Sequence, residues 1–149
     1  VIALLGFALL KLPADSRAYA RRAARHSRLN AIQRGASRGG MVKLSEVPVE
    51  AINHDGSPGA KQVMVTRGQV PHLTGFSRAE LAPDEEIVEH THMSRDEVFY
   101  VLSGEGVFVV DGVDVTAAPG VCVHVAAGQR HKVRNGSGGT MVLLYFGTF

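Results

Sequence analysis

His90-Thr-His92 sets two imidazoles one residue apart, Glu97 follows shortly after, and His131 stands in Gly128-Gln-Arg-His131. On an extended strand side chains alternate with period 2, so His90 and His92 project from one face and can aim ring nitrogens at one ion. Glu97 adds an anionic oxygen and His131 a third nitrogen. That mixed N/O set suits a first-row divalent metal, and four protein donors leave two octahedral positions open for water, substrate or dioxygen. The chemistry depends on whether side chains from such separate stretches converge.

The elements that must bring them together read as strands. Val63–Thr66, Phe76–Leu81, Ile87–His92, Val98–Leu102, Gly106–Val110, Val121–Val125, His131–Arg134 and Met141–Phe146 are short runs rich in β-branched and aromatic residues. Turn signals separate them: Ala82-Pro-Asp84, Ser103-Gly104, Pro119-Gly120, Ala127-Gly128 and Asn135-Gly-Ser-Gly-Gly139. Asp111-Gly112, between two valine-rich runs, predicts a hairpin turn with positive φ. Met93-Ser-Arg-Asp96 predicts a turn after which the next strand returns antiparallel and carries Glu97 back to the pocket. His131, opening a later strand, is expected from the opposite edge. Short strands at this spacing, without an amphipathic helical pattern, predict an all-β sandwich or small barrel.

With spacers, the first cluster is His90-x-His92-x4-Glu97-x6-Gly104 and the second Gly120-x5-Ala126-x-Gly128-x2-His131-x3-Asn135. In order and spacing these resemble the two motifs of the cupin superfamily, over roughly residues 70–146. The short stretch Glu105 to Pro119 between them is like that of single-domain members. The resemblance implies a cupin double-stranded β-helix, a jelly-roll barrel. It further implies one Fe, Mn, Ni or Zn ion held by His90, His92, Glu97 and His131, with Glu97 able to double as a catalytic base if it leaves the metal. Two turn positions depart from the family pattern: Asp84 stands where a Gly is usual, and Ala126 where a Pro is usual.

Other side chains are weighed against plainer roles. Phe99, Phe108, Tyr145 and Phe146 are expected in the core, with one or two, Phe99 and Phe108 foremost, walling the pocket. Tyr100 has opposite parity to Phe99, so at most one of the two faces the metal. His124, in an apolar strand, is expected as a buried structural imidazole, with a place at the pocket as the alternative. His72 is expected in a loop or at a strand edge, pocket wall being its alternative. Arg95 is expected as solvated loop charge, though it could meet an anionic substrate. Arg130 and Arg134 have opposite parity to His131 and should point outward. Asp84-Glu-Glu86 and Glu89 read as a solvated rim. Cys122, the only cysteine, excludes an intramolecular disulfide and, between valines, is expected buried and inert. His26 and His54 carry no signal.

Charge is divided along the chain. Residues 1–40 hold eight of the sixteen Lys/Arg beside one acid, Asp15, which leaves eight against thirteen acids in residues 41–149. The acidic remainder argues against nucleic acid as a partner, since phosphate binding needs a clustered positive face. Val1–Leu10 is apolar but well short of the roughly 20 residues that span a bilayer, so no membrane partner is expected. The organisation expected is a basic leader over residues 1–40, disordered or helical, and one β-barrel domain over residues 41–149. The leader reads as upstream sequence from an early start, as an Arg- and Ala-rich targeting peptide, or as a functional basic helix. The second reading would send the protein to a plastid or mitochondrion; otherwise the cytoplasm is expected.

For function, the sequence favours a metalloenzyme acting on a small polar molecule, either a dioxygenase or a Lewis-acid isomerase, lyase or cyclase. A non-catalytic module binding a sugar or organic acid is the alternative, and a purely structural metal is a third. The resemblance also implies a homodimer.

Overall fold

The computed structural model describes residues 41–52 and 56–149. The expectations placed on residues 1–40, with His26, and on His54 fall outside these. Apart from a 3₁₀ turn at Leu44–Glu46, the regular structure is strand. In chain order come β1 (Val49–Ala51), β2 (Ala60–Thr66), β3 (Leu73–Leu81), β4 (Glu86–Thr91) and β5 (Asp96–Ser103). They are followed by β6 (Gly106–Val110), β7 (Val113–Ala117), β8 (Cys122–Val125), β9 (Arg130–Asn135) and β10 (Met141–Thr148).

All pairings are antiparallel and fall into two sheets, β1-β2-β3-β10-β5-β8 and β4-β9-β6-β7. Alternation decides which side chains enter the space between them. On β5, Glu97, Phe99 and Val101 are buried while Tyr100 and Leu102 are exposed; on β9, His131, Val133 and Asn135 are buried while Arg130 and Arg134 are exposed. Phe108, Leu81, Met141 and Val101 are fully enclosed. Each such side chain contributes about 1.5–3 kcal/mol through burial. The all-β jelly roll is therefore the fold, and β1 is the strand that sequence patterning does not reveal.

Turn chemistry behaves as the sequence predicts. Asp111 and Gly112 sit at φ of 49° and 80°, joining β6 to β7 with Val110 opposite Val113. Positive φ at both central residues is the type I′ hairpin condition. Asp84, at φ 63°, takes the left-handed conformation that the usual Gly would supply. Asp tolerates that region better than most residues.

One corner is closed by a side chain. Asn135 is fully buried; its Nδ2 donates to the carbonyls of Leu81, Ala82 and Gly139 at 2.9, 3.0 and 2.8 Å. Its Oδ1 accepts from the Ser137 amide and hydroxyl at 2.9 and 2.7 Å. The end of β3, the end of β9 and the glycine-rich turn 136–139 are thereby held together. Asn135→Ala should strand these carbonyls in a dry place and cost about 2–3 kcal/mol. In urea unfolding the midpoint should fall with an unchanged slope; an unmoved midpoint would refute the role.

Candidate metal centre

His90 and His131 do not meet across a barrel. They are direct partners in the β4–β9 ladder, with ring centroids 4.3 Å apart. The expected approach of His131 from the opposite edge is corrected by this pairing. The register explains how His90 comes to face inward. Ile87 pairs with Val133 and His90 with His131, so β4 spends two residues, Val88 and Glu89, where β9 spends only Lys132. This bulge reverses the alternation. Ile87 and His90, which have opposite parity, consequently line the same cavity.

Glu97 arrives from the other sheet. The strand after the 93–95 turn does not return along β4, as expected; β5 lies in the six-stranded sheet, between β10 and β8. The turn is a crossover between sheets, so Glu97 faces the histidines across the interior. The amide of Gly128 donates to the His92 carbonyl at 2.9 Å, clasping the 126–129 turn to the first ligand segment. Where a Pro is usual, the Ala126 amide donates to Gln129 Oε1 at 2.9 Å, and the turn keeps its shape by that bond. Asp111 completes the support: its carboxylate accepts from the Arg130 amide and from Gln129 Nε2, both at 2.9 Å. Those bonds hold its carboxyl below the usual range.

The donor atoms of His90, His92, Glu97 and His131 all lie within 4.8 Å of one another. At metal–donor distances of about 2.1 Å, adjacent octahedral donors stand about 3 Å apart and opposite ones about 4 Å. His131 Nε2 and His92 Nε2 lie 3.1 and 3.4 Å from Glu97 Oε2, the spacing of neighbouring vertices. Nδ1 of His90 donates to the Val88 carbonyl at 2.9 Å and Nδ1 of His131 to the Gln129 carbonyl at 3.2 Å. Such bonds fix the tautomer and leave Nε2 with its lone pair. A neutral His131 cannot donate from both nitrogens, so its Nε2 and the facing carboxylate oxygen need a proton or a metal ion between them. The donor set thus fits a divalent ion.

Electrostatics point the same way. Burial pushes the Glu97 carboxyl up, but its close contacts with His131, His92 and above all the Arg95 cation outweigh that and hold the group below its ordinary value. Glu97 is therefore an anionic donor, and correspondingly a weaker base. Burial lowers His92 to about 4, helped by Arg95, His90 and His131 and opposed by Glu97.

Beside the donors lies a cavity of about 40 Å³, with room for about three water-sized groups. His90, Glu97 and His131 line it together with Phe99, Tyr145 and an aliphatic wall of Ile52, Ala79, Leu81, Ile87, Val133 and Leu143. Phe99 and Tyr145 stack at 5.8 Å.

The remaining candidates divide. Phe99 lines the cavity. Phe108 lies behind it, 5.1 Å from the Phe99 ring and wholly in the core, so it is not a pocket wall. His124 is neither buried nor at the cavity: on the outer face of β8 it pairs with Asp96 at 2.9 Å, its side chain 59% exposed. Cys122, on that same outer face, is exposed rather than buried. His72 is exposed at φ 63° in the turn before β3 and does not reach the cavity. Arg95, expected as solvated loop charge, instead contacts two of the four donor residues. Its Nη2 donates to His92 Nε2 at 2.7 Å and lies 3.2 Å from Glu97 Oε1. The signal was its shared parity with Glu97.

Residues 77–147 match the cupin domain family. Among curated relatives, the chain is 30% identical over 106 residues to the oxalate-binding protein of Thermotoga maritima, covering 65% of this chain and 84% of that one. It is 33% identical over 78 residues to the tetracenomycin polyketide synthase protein TcmJ of Streptomyces glaucescens, spanning about half of that protein (52%) and 52% of this chain. Among solved structures, a predicted oxalate decarboxylase from Thermotoga maritima superposes with a TM-score of 0.68 at 26% identity, over 74% of this chain and 99% of that one. The polyketide cyclase RemF of Streptomyces resistomycificus, at 19% identity and a TM-score of 0.66 over 74% and 79% of the two chains, shares the fold. This chain belongs to the cupin superfamily. Among the described residues, no helix is long and apolar enough to cross a membrane.

In metal-stripped protein the His92 ring should stay neutral down to about pH 4. The unfolded chain's ring takes its proton near pH 6.5. A depressed histidine leaves stability full above about pH 6.5 and erodes it as pH falls toward 4, because the unfolded state binds the proton first. Histidine-resolved NMR titration measures this directly; a His92 midpoint near 6.5 would contradict the environment described.

Proposed function

We propose that this chain is a divalent-metal-dependent enzyme acting on a small molecule, with Fe, Mn, Ni or Zn held by His90, His92, Glu97 and His131. The convergence of those donors within 4.8 Å at the polar end of an otherwise apolar cavity carries the reading. An ion of this class with four protein donors keeps open positions, and supplies Lewis-acid or redox chemistry to a molecule beside it. The chain's own residues prepare that place. Glu97 contributes negative charge, the Val88 and Gln129 carbonyls orient two imidazoles, and the aliphatic wall limits water. The reaction class on this reading is that of a dioxygenase or of a Lewis-acid isomerase, lyase or cyclase. The chemistry belongs to residues 41–149 and asks nothing of residues 1–40.

A second reading, a binding module without turnover, is favoured by the likeness to a protein described as oxalate-binding. Oxygen uptake, or conversion of an organic acid, sugar or polyketide-like compound by metal-loaded protein, separates the two. Purified wild type should carry close to one equivalent of metal, and His92→Ala or His131→Ala should lose it. Elemental analysis showing full metal in both variants would end the proposal.

A homodimer is part of the same proposal. The outer face of the six-stranded sheet carries Phe76 and Phe146 edge to face at 6.4 Å, and Tyr100 and Leu102 at 42% and 43% exposure. Contiguous apolar surface of this kind marks association sites. Wild type should sediment as a dimer at micromolar concentration, and Tyr100→Lys with Leu102→Lys as a monomer of unchanged metal content. A monomeric wild type would remove the dimer.

A further inference from the structure

We propose that Arg95 determines specificity at this site by recognising the carboxylate of a short-chain acid whose other end is apolar; the inference rests on the metal-binding reading above. Two observations place a guanidinium with unspent donors there. Nε of Arg95 is the one buried side-chain polar atom without a hydrogen-bond partner among the described residues. Buried donors of this kind are rare and expensive, and a ligand is one way to satisfy them. Nη2 meanwhile donates to His92 Nε2 at 2.7 Å. That nitrogen has a single lone pair, so accepting from Arg95 and coordinating a metal exclude one another. With a metal at His92, Nη2 is released, still beside Glu97 Oε1.

A released guanidinium fork next to a divalent ion matches a carboxylate in shape and charge. Its tether is short, since Arg95 lies on the turn between His92 and Glu97. The cavity then dictates the rest of the ligand. Beyond the donor residues its wall is Phe99 and aliphatic side chains, with Tyr145 the one further polar residue. The Tyr145 hydroxyl is already engaged with Ser77. Sugar hydroxyls entering there would leave water without replacement partners, which disfavours them. A cavity of about 40 Å³ admits a tail of only a few carbons.

Calorimetric titration of Mn(II)-loaded protein with butyrate, butyramide and 4-hydroxybutyrate tests each element. Butyrate should bind at least tenfold more tightly than its uncharged amide and than the hydroxylated acid. Arg95→Gln should weaken butyrate about tenfold to a hundredfold while leaving butyramide nearly unchanged, the scale of charge-assisted hydrogen bonds. The same variant titrated with Mn(II) alone should still bind the metal. Arg95→Lys, which keeps the charge but loses the fork, should fall between, and carries the test if Arg95→Gln fails to fold by circular dichroism. Butyrate binding that survives the loss of Arg95 in metal-loaded protein overturns the role of Arg95 and spares the metal reading. Equal binding of 4-hydroxybutyrate overturns the apolar tail. A wild type that takes up no Mn(II), Fe(II), Ni(II) or Zn(II) overturns the metal reading, and this inference with it.

Discussion

A carboxylate only 5% exposed must be compensated, and that requirement organises one end of this protein. Glu97 enters from β5 into a space otherwise filled by aliphatic and aromatic side chains. An uncompensated charge there would neutralise by taking a proton. It is held ionised instead by the Arg95 cation on the crossover turn, with His131 and His92 close beside it. A cluster so arranged is already most of a cation site. The structure around it, from the Asp111 strap to the Gly128–His92 clasp, restrains the segments that carry those partners.

The two ends of β9 have opposite characters. At one, His131 belongs to the charged cluster; at the other, Asn135 spends its amide on three carbonyls and two donors from Ser137. The residues between them span about 13 Å of strand. The interior is therefore dry and sealed at the Asn135 end and polar at the His131 end. Arg95 and His92 are partly exposed at the polar end.

Much of this was legible in the residues. Period-2 alternation predicted the inward faces of β5 and β9, and Asp111-Gly112 announced its hairpin by composition alone. The four donor-type side chains were identifiable from type and spacing. Their route together was not. Which sheet a strand joins is decided by packing of whole faces, so the 93–95 turn read as a hairpin when it is a crossover. The flanking valines of Cys122 and His124 suggested burial, but β8 is an edge strand with one face outward, and only Val123 and Val125 go in. The contacts of Arg95 are hidden in the sequence for a related reason. Charge in a turn is usually solvated, and only the position of that turn over the cluster overrides the habit.

The extra residue in β4 stands between two parts of the strand with different duties. Ile87 and everything before it answer to the core; His90 and His92 answer to the chemistry. Removing Val88 or Glu89 would leave a single residue between Ile87 and the first imidazole, just as Lys132 stands alone between Val133 and His131, and plain alternation would still turn both imidazoles inward. A barrel of this design can therefore shorten that strand by one residue and keep its donors on the inner face.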